Sequence, residues 1–427
     1  MFKQILKYLT FISTIIFLHF IFRSDFAGLI SIVLVFFAVV LMCNIWRPVA
    51  TILYTALAVR IAVMILGTYF VTLPDSWGDT DNFEKQAWIW SQGSFSDILS
   101  QNPGPDAYFF SWVSSFLYSL FGRSVLMLES ISLLFSIGSV LLGWLLAKKF
   151  WDNRTAIKVG WTLALFPSLV MYSGYFLRES YIYFFLTLAM LGIVGWIRTG
   201  DIKSIIITSV SFIACFYLNG VLILGFFVFL IIISLTVLKK FFKGIRRGNI
   251  HKKSFVVLFV TILFFGSYFA NKFAIPKLGE YEKIIQPKLI LERLLWNTRG
   301  DAAYPEWTIV KTLDELIYVA PYKIVNFMFG PLPWQVKKSA HWLGVFDSVA
   351  CIFLFYLIIC NRKNILKDEA LKVMFLILLA YIVFFGIGVG NFGTGIRHRS
   401  KFIFFLLIFA GPFIPSISIF SKNKLKK

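Results

Sequence analysis

Apolar runs of about twenty residues recur from one end of this 427-residue chain to the other, and no other feature constrains the fold as strongly. A helix rises ~1.5 Å per residue, so such a run crosses the ~30 Å hydrocarbon core of a bilayer while satisfying its own backbone N–H and C=O groups. With 59% hydrophobic and 15% charged residues and a mean hydropathy of +0.79, the chain is too apolar for a soluble domain of this length. The expected fold is an all-α, polytopic transmembrane bundle. Spans are predicted near residues 7–22, 26–45, 49–72, 123–147, 155–175, 179–197, 203–218, 220–238, 254–271, 340–360, 371–389 and 401–420, about twelve helices.

Charge then orients the helices. The chain carries 42 Lys+Arg against 21 Asp+Glu, a net charge of +21. The cations fall in short loops rather than on one folded face, so they read as topology signals and contacts to anionic lipid, with no nucleic-acid partner. Lys148, Lys149, Arg154 and Lys158, then Arg198 and Lys203, the run KKFFKGIRRGNIHKK at 239–253, Arg362, Lys363 and Lys367, and the tail KNKLKK at 422–427 all fall on one side, the expected cytoplasm. Both termini are then cytoplasmic, and the basic, apolar N-terminal segment reads as a retained first span, since no small-residue cleavage site follows it. The four cysteines lie in or beside apolar runs without metal-ligand spacing, which argues against a disulfide framework or a zinc site.

The whole of 1–427 reads as one membrane domain with two large outer loops, 73–122 and 272–339. Within the second, 284–297 and 312–329 have helical spacing and are expected as interfacial helices. Trp296, Trp307, Trp334 and Trp342 suit a headgroup belt.

The polar residues that interrupt this apolar pattern are the candidate site. Asp79 and Asp81, in WGDTDNF, stand at the mouth of a span, where a partly shielded carboxylate can act as a general base. Their D-x-D spacing also permits a divalent ion, Mg2+ or Mn2+, completed by water or phosphate; capping of the next helix is the plainer reading for Asp81. Arg178 and Glu179 form a second polar insertion after Pro167, with pairing, phosphate binding and helix-end roles all open. The segment NFGTGIRHRSK at 391–401 places Arg397, His398, Arg399 and Lys401 beside glycines at the start of a span, on the side where basic residues are disfavoured. Such a group wants an anion, and arginine forks hold phosphate bidentately. Lys337 and Lys338, after the PLPW turn, extend the same anion site or anchor the chain at the interface. For Arg60 and Glu129, inside spans, a buried pairing or snorkelling without a catalytic role is expected.

In order along the chain, the outer-loop Gly78-Asp79 followed by Phe83 and Ala87, YFFSWVSSFLYSLFGRS at 108–124 and ALFPSLVMYSGYFLRES at 164–180 resemble the N-terminal half of GT-C glycosyltransferases. FMFGPLPWQ at 327–335 and GNFGTGIRHRSKF at 390–402 resemble a bacterial subgroup associated with surface polysaccharide assembly. Phe83 departs from the tyrosine often found after the loop aspartate, and two extra N-terminal spans precede the shared core.

The resemblance implies a GT-C-like fold in a bacterial cytoplasmic (inner) membrane, with the active site on the extracytoplasmic face. Asp79 maps onto the essential loop aspartate and Glu179 onto a second acidic residue. The implied activity is transfer of a sugar from a polyprenyl-phosphate or polyprenyl-diphosphate donor to a cell-envelope glycan or lipid acceptor. Arg178, Arg397, His398, Arg399, Lys337 and Asp81 would contact substrate. A repeat-unit polymerase for O-antigen or capsule would use much the same cations. A flippase for lipid-linked oligosaccharides would need polar residues spread through the spans, whereas here they gather at the outer ends.

Overall fold

The computed structural model describes residues 25–73, 78–246, 291, 292, 294, 302–336 and 341–415. The described residues are helical, apart from loops and one isolated antiparallel bridge between Ala303 and Asn391. The first half contains α1 (Phe26–Ile45), α2 (Ala50–Ile65), α3 (Asp79–Ser91), α4 (Phe95–Ser100), α5 (Phe109–Phe121), α6 (Val125–Phe150), α7 (Asn153–Leu165) and α8 (Pro167–Ser173). The second contains α9 (Glu179–Thr199), α10 (Ile202–Leu218), α11 (Ile223–Arg246), α12 (Leu313–Phe329), α13 (His341–Lys367), α14 (Glu369–Gly388), α15 (Phe392–Ser400) and α16 (Ile403–Ala410).

Among the described residues, six helical stretches are long and apolar enough to cross a membrane: Phe26–Ile45, Arg47–Phe70, Val125–Phe150, Glu179–Thr199, His341–Lys367 and Glu369–Gly388. The bent pair α7 and α8 makes a seventh if counted as one span. Ile202–Leu218, Gly220–Thr236 and Ile403–Phe413 are apolar but shorter. The spans expected at 7–22 and 254–271, and nearly all of the helix expected at 284–297, lie outside the described residues.

The long helices bury one face and leave the other apolar. On α1, Ile30, Leu34, Phe37, Leu41 and Ile45 recur at helical spacing and are exposed, while Val35, Val39 and Cys43 are buried. Trp342, Phe346, Val349, Phe353 and Tyr356 form the same kind of exposed stripe on α13. Continuous apolar stripes of this size suit lipid rather than water. At the opposite extreme, all eight residues of α16 are buried, so this helix, apolar all round, is the centre of the bundle.

Side-chain caps set the helix starts. Ser124, Asp152, Asp201, Asp368 and Asn391 each accept from backbone N–H groups two or three residues on. Asp25 caps α1 through the Gly28 N–H at 2.8 Å and accepts from the Ser124 hydroxyl at 2.9 Å, which ties the starts of α1 and α6 together.

The bend between α7 and α8 has an identifiable cause. Pro167 has no N–H for the carbonyl of Leu163, and the backbone at Phe166 is extended, so the two helices meet at 52°. Arg60, fully buried on α2, fills the gap: it donates to the carbonyls of Ala164 at 2.6 Å and Leu163 at 3.2 Å and to the Ser136 hydroxyl at 3.0 Å. The arginine expected in a buried pairing is thus the substitute donor for a proline break. Glu129, itself buried, accepts from the half-buried Thr68 hydroxyl at 2.7 Å.

The segment 312–329 is helical as expected, but α12 does not lie free at a surface. It packs against α14 and α15, with Val319, Lys323, Asn326, Phe327 and Met328 buried. Ile324 closes onto Gly386 of α14, where a Cβ on the glycine would meet the Ile324 backbone at 2.8 Å. Trp307, Trp334 and Trp342 are exposed, whereas Trp296 lies outside the described residues.

Candidate functional site

Three segments about a hundred residues or more apart in sequence bring their charges to one end of the bundle. Gly78, with φ +69°, turns the chain into α3, whose first turn carries Asp79 and Asp81. Beyond the break at Pro167 the chain enters α9 with Arg178 and Glu179 buried. The bridge at Ala303 and Asn391 is flanked by hydrogen bonds from Tyr304 N to Gly390 O and from Phe392 N to Ala302 O, both 2.8 Å. That pairing, with the Asn391 cap, fixes the start of α15.

Arg397 joins the three. Its Nη2 lies 2.7 Å from Asp79 Oδ2, and its Nε donates to Glu179 Oε1 at 3.0 Å. The two carboxylates differ sharply in setting: the Asp79 side chain is 51% exposed and that of Glu179 is 0% exposed, with Arg397 at 13%. Lys401, one helical turn from Arg397, brings its ammonium to 3.6 Å from the same Glu179 oxygen and donates to His398 Nδ1 at 2.7 Å. An ammonium can only donate, so His398 accepts at Nδ1 and carries its ring proton on Nε2. The Phe385 ring stands 5.1 Å from His398 and 5.5 Å from the Lys401 ammonium. The Tyr183 and Ser400 hydroxyls share a 2.7 Å hydrogen bond.

Arg178 donates through Nη1 to the Leu218 carbonyl at 3.0 Å and stacks over Phe83 at 5.5 Å, while its Nε has no partner among the described residues. Glu179 Oε2 and Thr80 Oγ1 are also buried without one. Burial pulls the Arg178 guanidinium below its ordinary range and the nearby Arg397 adds to this, with Glu179 opposing. Burial acts on Arg397 in the same direction, but the Glu179 and Asp79 carboxylates outweigh it and hold that guanidinium above its ordinary range. Three cations, Arg178, Arg397 and Lys401, therefore gather around Glu179 and Asp79, and the Asp106 carboxylate also acts on Arg178.

Energetics separates the contacts. Withdrawing one partner from a buried pair such as Arg397 and Glu179 costs about 3–5 kcal/mol, because a charge is left without compensation. An exposed contact such as Asp79 to Arg397 is worth only ~0–1 kcal/mol after screening.

No family model and no curated protein matches the sequence.

Several expected residues hold different places. Arg399 is fully buried and donates all of its N–H groups inside the protein. Nε and Nη2 hold Asp347 Oδ2 at 2.8 and 2.6 Å, Nη1 reaches the carbonyls of Met328 and Gly330, both at 2.8 Å, and Phe327 at 3.3 Å, and Nη2 also reaches Ser348. It has no donor left for a phosphate; it fastens α15 to α12 and α13. Asp81 does not cap α3, because the helix starts two residues earlier with Gly78 at the capping position, and Asp81 is exposed in the first turn. Two residues apart on a helix, Asp79 and Asp81 diverge, and Asp79 is turned to Arg397, so they do not converge as a ligand pair for Mg2+ or Mn2+. Among the described residues no three His, Cys, Asp or Glu groups gather as a metal site. Lys337 lies outside the described residues.

Asp347 escaped notice in the sequence, although a lone carboxylate in the apolar run HWLGVFDSVACIF is a signal for a buried partner. Glu84 escaped too. It accepts from the Tyr118 hydroxyl at 2.9 Å and from Arg123 Nε and Nη2 at 2.9 and 2.8 Å, and so braces α3, whose first turn presents Asp79.

Proposed function

We propose that the protein is a GT-C-like glycosyltransferase of a bacterial cytoplasmic membrane. It takes a sugar from a polyprenyl-phosphate or polyprenyl-diphosphate donor and passes it to a cell-envelope glycan or lipid on the extracytoplasmic face. In this reading of about twelve spans with both termini cytoplasmic the Asp79 cluster belongs to that face, and the distribution of basic loops in the sequence supports it. The observation that carries the reading is the meeting of Asp79, Glu179 and Arg397 at 2.7 and 3.0 Å. A half-exposed carboxylate and a guanidinium with a replaceable partner stand together at the end of an apolar bundle, where a lipid-borne phosphate and a water-borne hydroxyl would meet.

The roles follow from exposure. Asp79 is the carboxylate that an acceptor can reach, so it removes the hydroxyl proton as the oxygen attacks the anomeric carbon and the bond to the donor phosphate breaks. Arg397 binds the leaving phosphate and stabilises the charge that develops on it. Arg178, with its unpartnered Nε, assists. Glu179, fully buried, holds Arg397 and Lys401 in place and is a positioning residue rather than one that touches substrate. His398 and Lys401 maintain that positioning through their mutual hydrogen bond.

The test is donor turnover by purified protein in lipid, offered polyprenyl-phosphate and polyprenyl-diphosphate sugars with a glycolipid acceptor. Asp79→Asn is expected to lower transfer by ~10²- to 10⁴-fold while folding normally. Absence of transfer by the wild type from either donor class, or a normal rate in Asp79→Asn, overturns the assignment.

A further inference from the structure

Asp79 and Arg397 are in direct contact through Oδ2 and Nη2, and that contact takes up one oxygen of the base and one nitrogen of the phosphate-binding group in the roles just given them. A carboxylate oxygen engaged by a guanidinium offers that lone pair to no hydroxyl, and a guanidinium edge engaged by a carboxylate offers no fork to phosphate. We propose that Asp79 occupies the phosphate's seat on Arg397 and that the two negative charges of a diphosphate-linked donor, which a free polyprenyl monophosphate also carries and a monophosphate-linked sugar does not, displace it, so that binding of that donor releases the catalytic carboxylate. The inference rests on the glycosyltransferase reading of this site and adds to it an ordered exchange.

Three observations support the exchange. First, the two edges of Arg397 are unequal: the Nε edge is held by a fully buried carboxylate that Lys401 also holds, and the Nη2 edge by a half-exposed one. Only Asp79 can leave for water without stranding a buried charge. Second, Asp79 sits in the first turn of α3, behind a glycine at φ +69°, and no side-chain cap holds that end of the helix. Third, Arg178, 3% exposed, has a donor without a partner among the described residues, and it feels the charges of Glu179, Arg397, Asp79 and Asp106. A phosphate has more acceptor oxygens than a carboxylate and can use that donor as well. With Asp79 gone, the incoming phosphate takes over the charge that the carboxylate had supplied to Arg397, while Glu179 stays on Arg397 and Lys401. A neutral polyprenol offers none of this.

The experiment measures equilibrium binding of a polyprenyl monophosphate to the full chain in nanodiscs of zwitterionic lipid, with the corresponding polyprenol as control. If Asp79 competes with phosphate, both Asp79→Asn and Asp79→Ser bind the monophosphate more tightly than the wild type, by about fivefold, the equivalent of the ~1 kcal/mol of an exposed pair. The gain disappears in an Arg397→Ala background, and polyprenol binding does not change. Unchanged or weaker binding in both folded Asp79 variants overturns the proposal, because Asp79 would then support Arg397 rather than compete for it. Failure of wild type and variants alike to prefer the phosphate over polyprenol overturns it too. Tightening by the variants without any transfer by the wild type removes the sugar-transfer reading alone; transfer without tightening removes the exchange alone.

Discussion

At the scale of single residues, the two arginines of the RHR segment have opposite fates, and mutation should separate them. Arg397→Lys is expected to weaken donor binding with little loss of stability, since an ammonium keeps the charge near Glu179 but cannot present two parallel donors. Arg399→Met should instead unfold the protein more easily by about 3–5 kcal/mol, because Asp347 is left buried and unpaired, and the Asp347→Leu/Arg399→Met double variant should recover much of that loss. Thermal unfolding in detergent, with donor binding on the same samples, distinguishes the pair; equal binding losses for both arginines would contradict the geometry. Lys323 supplies a pH test. It is 1% exposed on α12, forms no hydrogen bond or ion pair among the described residues, and burial holds its amine down at about 8 against 10.5 for the free side chain. Below pH 8 folded and unfolded chains both carry the charge, and the full penalty of burying it applies. Between pH 8 and 10.5 the folded chain has released a proton that the unfolded chain keeps, so stability rises with pH; above 10.5 the penalty is gone. Lys323→Met should therefore stabilise the protein at pH 7 by a few kcal/mol, on the order of the shift itself, and flatten the pH dependence of unfolding across that window. A destabilised Lys323→Met protein at pH 7 would show that the amine is compensated.

At the scale of elements, the broken pair α7 and α8 decides where the LRES junction lands. A continuous helix through 153–173 would point residues 174–179 in another direction, and the 52° bend comes with the loss of one backbone donor at Pro167. Arg60 compensates from a neighbouring helix. Arg60→Met should thus be destabilising by about 1–3 kcal/mol for each carbonyl left without a donor, and adding Pro167→Ala should restore part of it by returning an N–H to the Leu163 carbonyl. Unfolding midpoints of the two single variants and the double one form the cycle; additive effects would mean that Arg60 and Pro167 are unconnected. The same logic makes Glu84 an element-level residue. Its contacts to Tyr118 and Arg123 set the attitude of α3 on α5, and through it the reach of Asp79.

At the scale of the whole molecule, orientation can be tested by side-selective labelling. With a membrane-impermeant thiol reagent on intact cells, Tyr318→Cys, 83% exposed on α12, should react from outside, and Lys363→Cys, exposed near the end of α13, only after permeabilisation. The reverse pattern would invert the basic-loop assignment and move the Asp79 cluster to the cytoplasm. The hydrophobic runs by themselves determined the helical class and the approximate limits of the long helices: 26–45, 179–197 and 371–389 fall within a residue or two of Phe26–Ile45, Glu179–Thr199 and Glu369–Gly388. They could do so because a bilayer-length apolar segment has to satisfy its backbone internally, and this depends on local composition rather than on partners. Local sequence also marked Asp79, Glu179 and Arg397 as unusual, since charge at a span's end is costly wherever the rest of the chain goes. Their assignment to one cluster, the inward-facing pair of Arg399 with Asp347, and the use of Arg60 as donor to a proline break were decided by tertiary structure. Each depends on which faces of helices distant in sequence are turned together, and hydropathy, which measures the cost of burying a charge, does not say which opposite charge or orphaned carbonyl will be there to meet it.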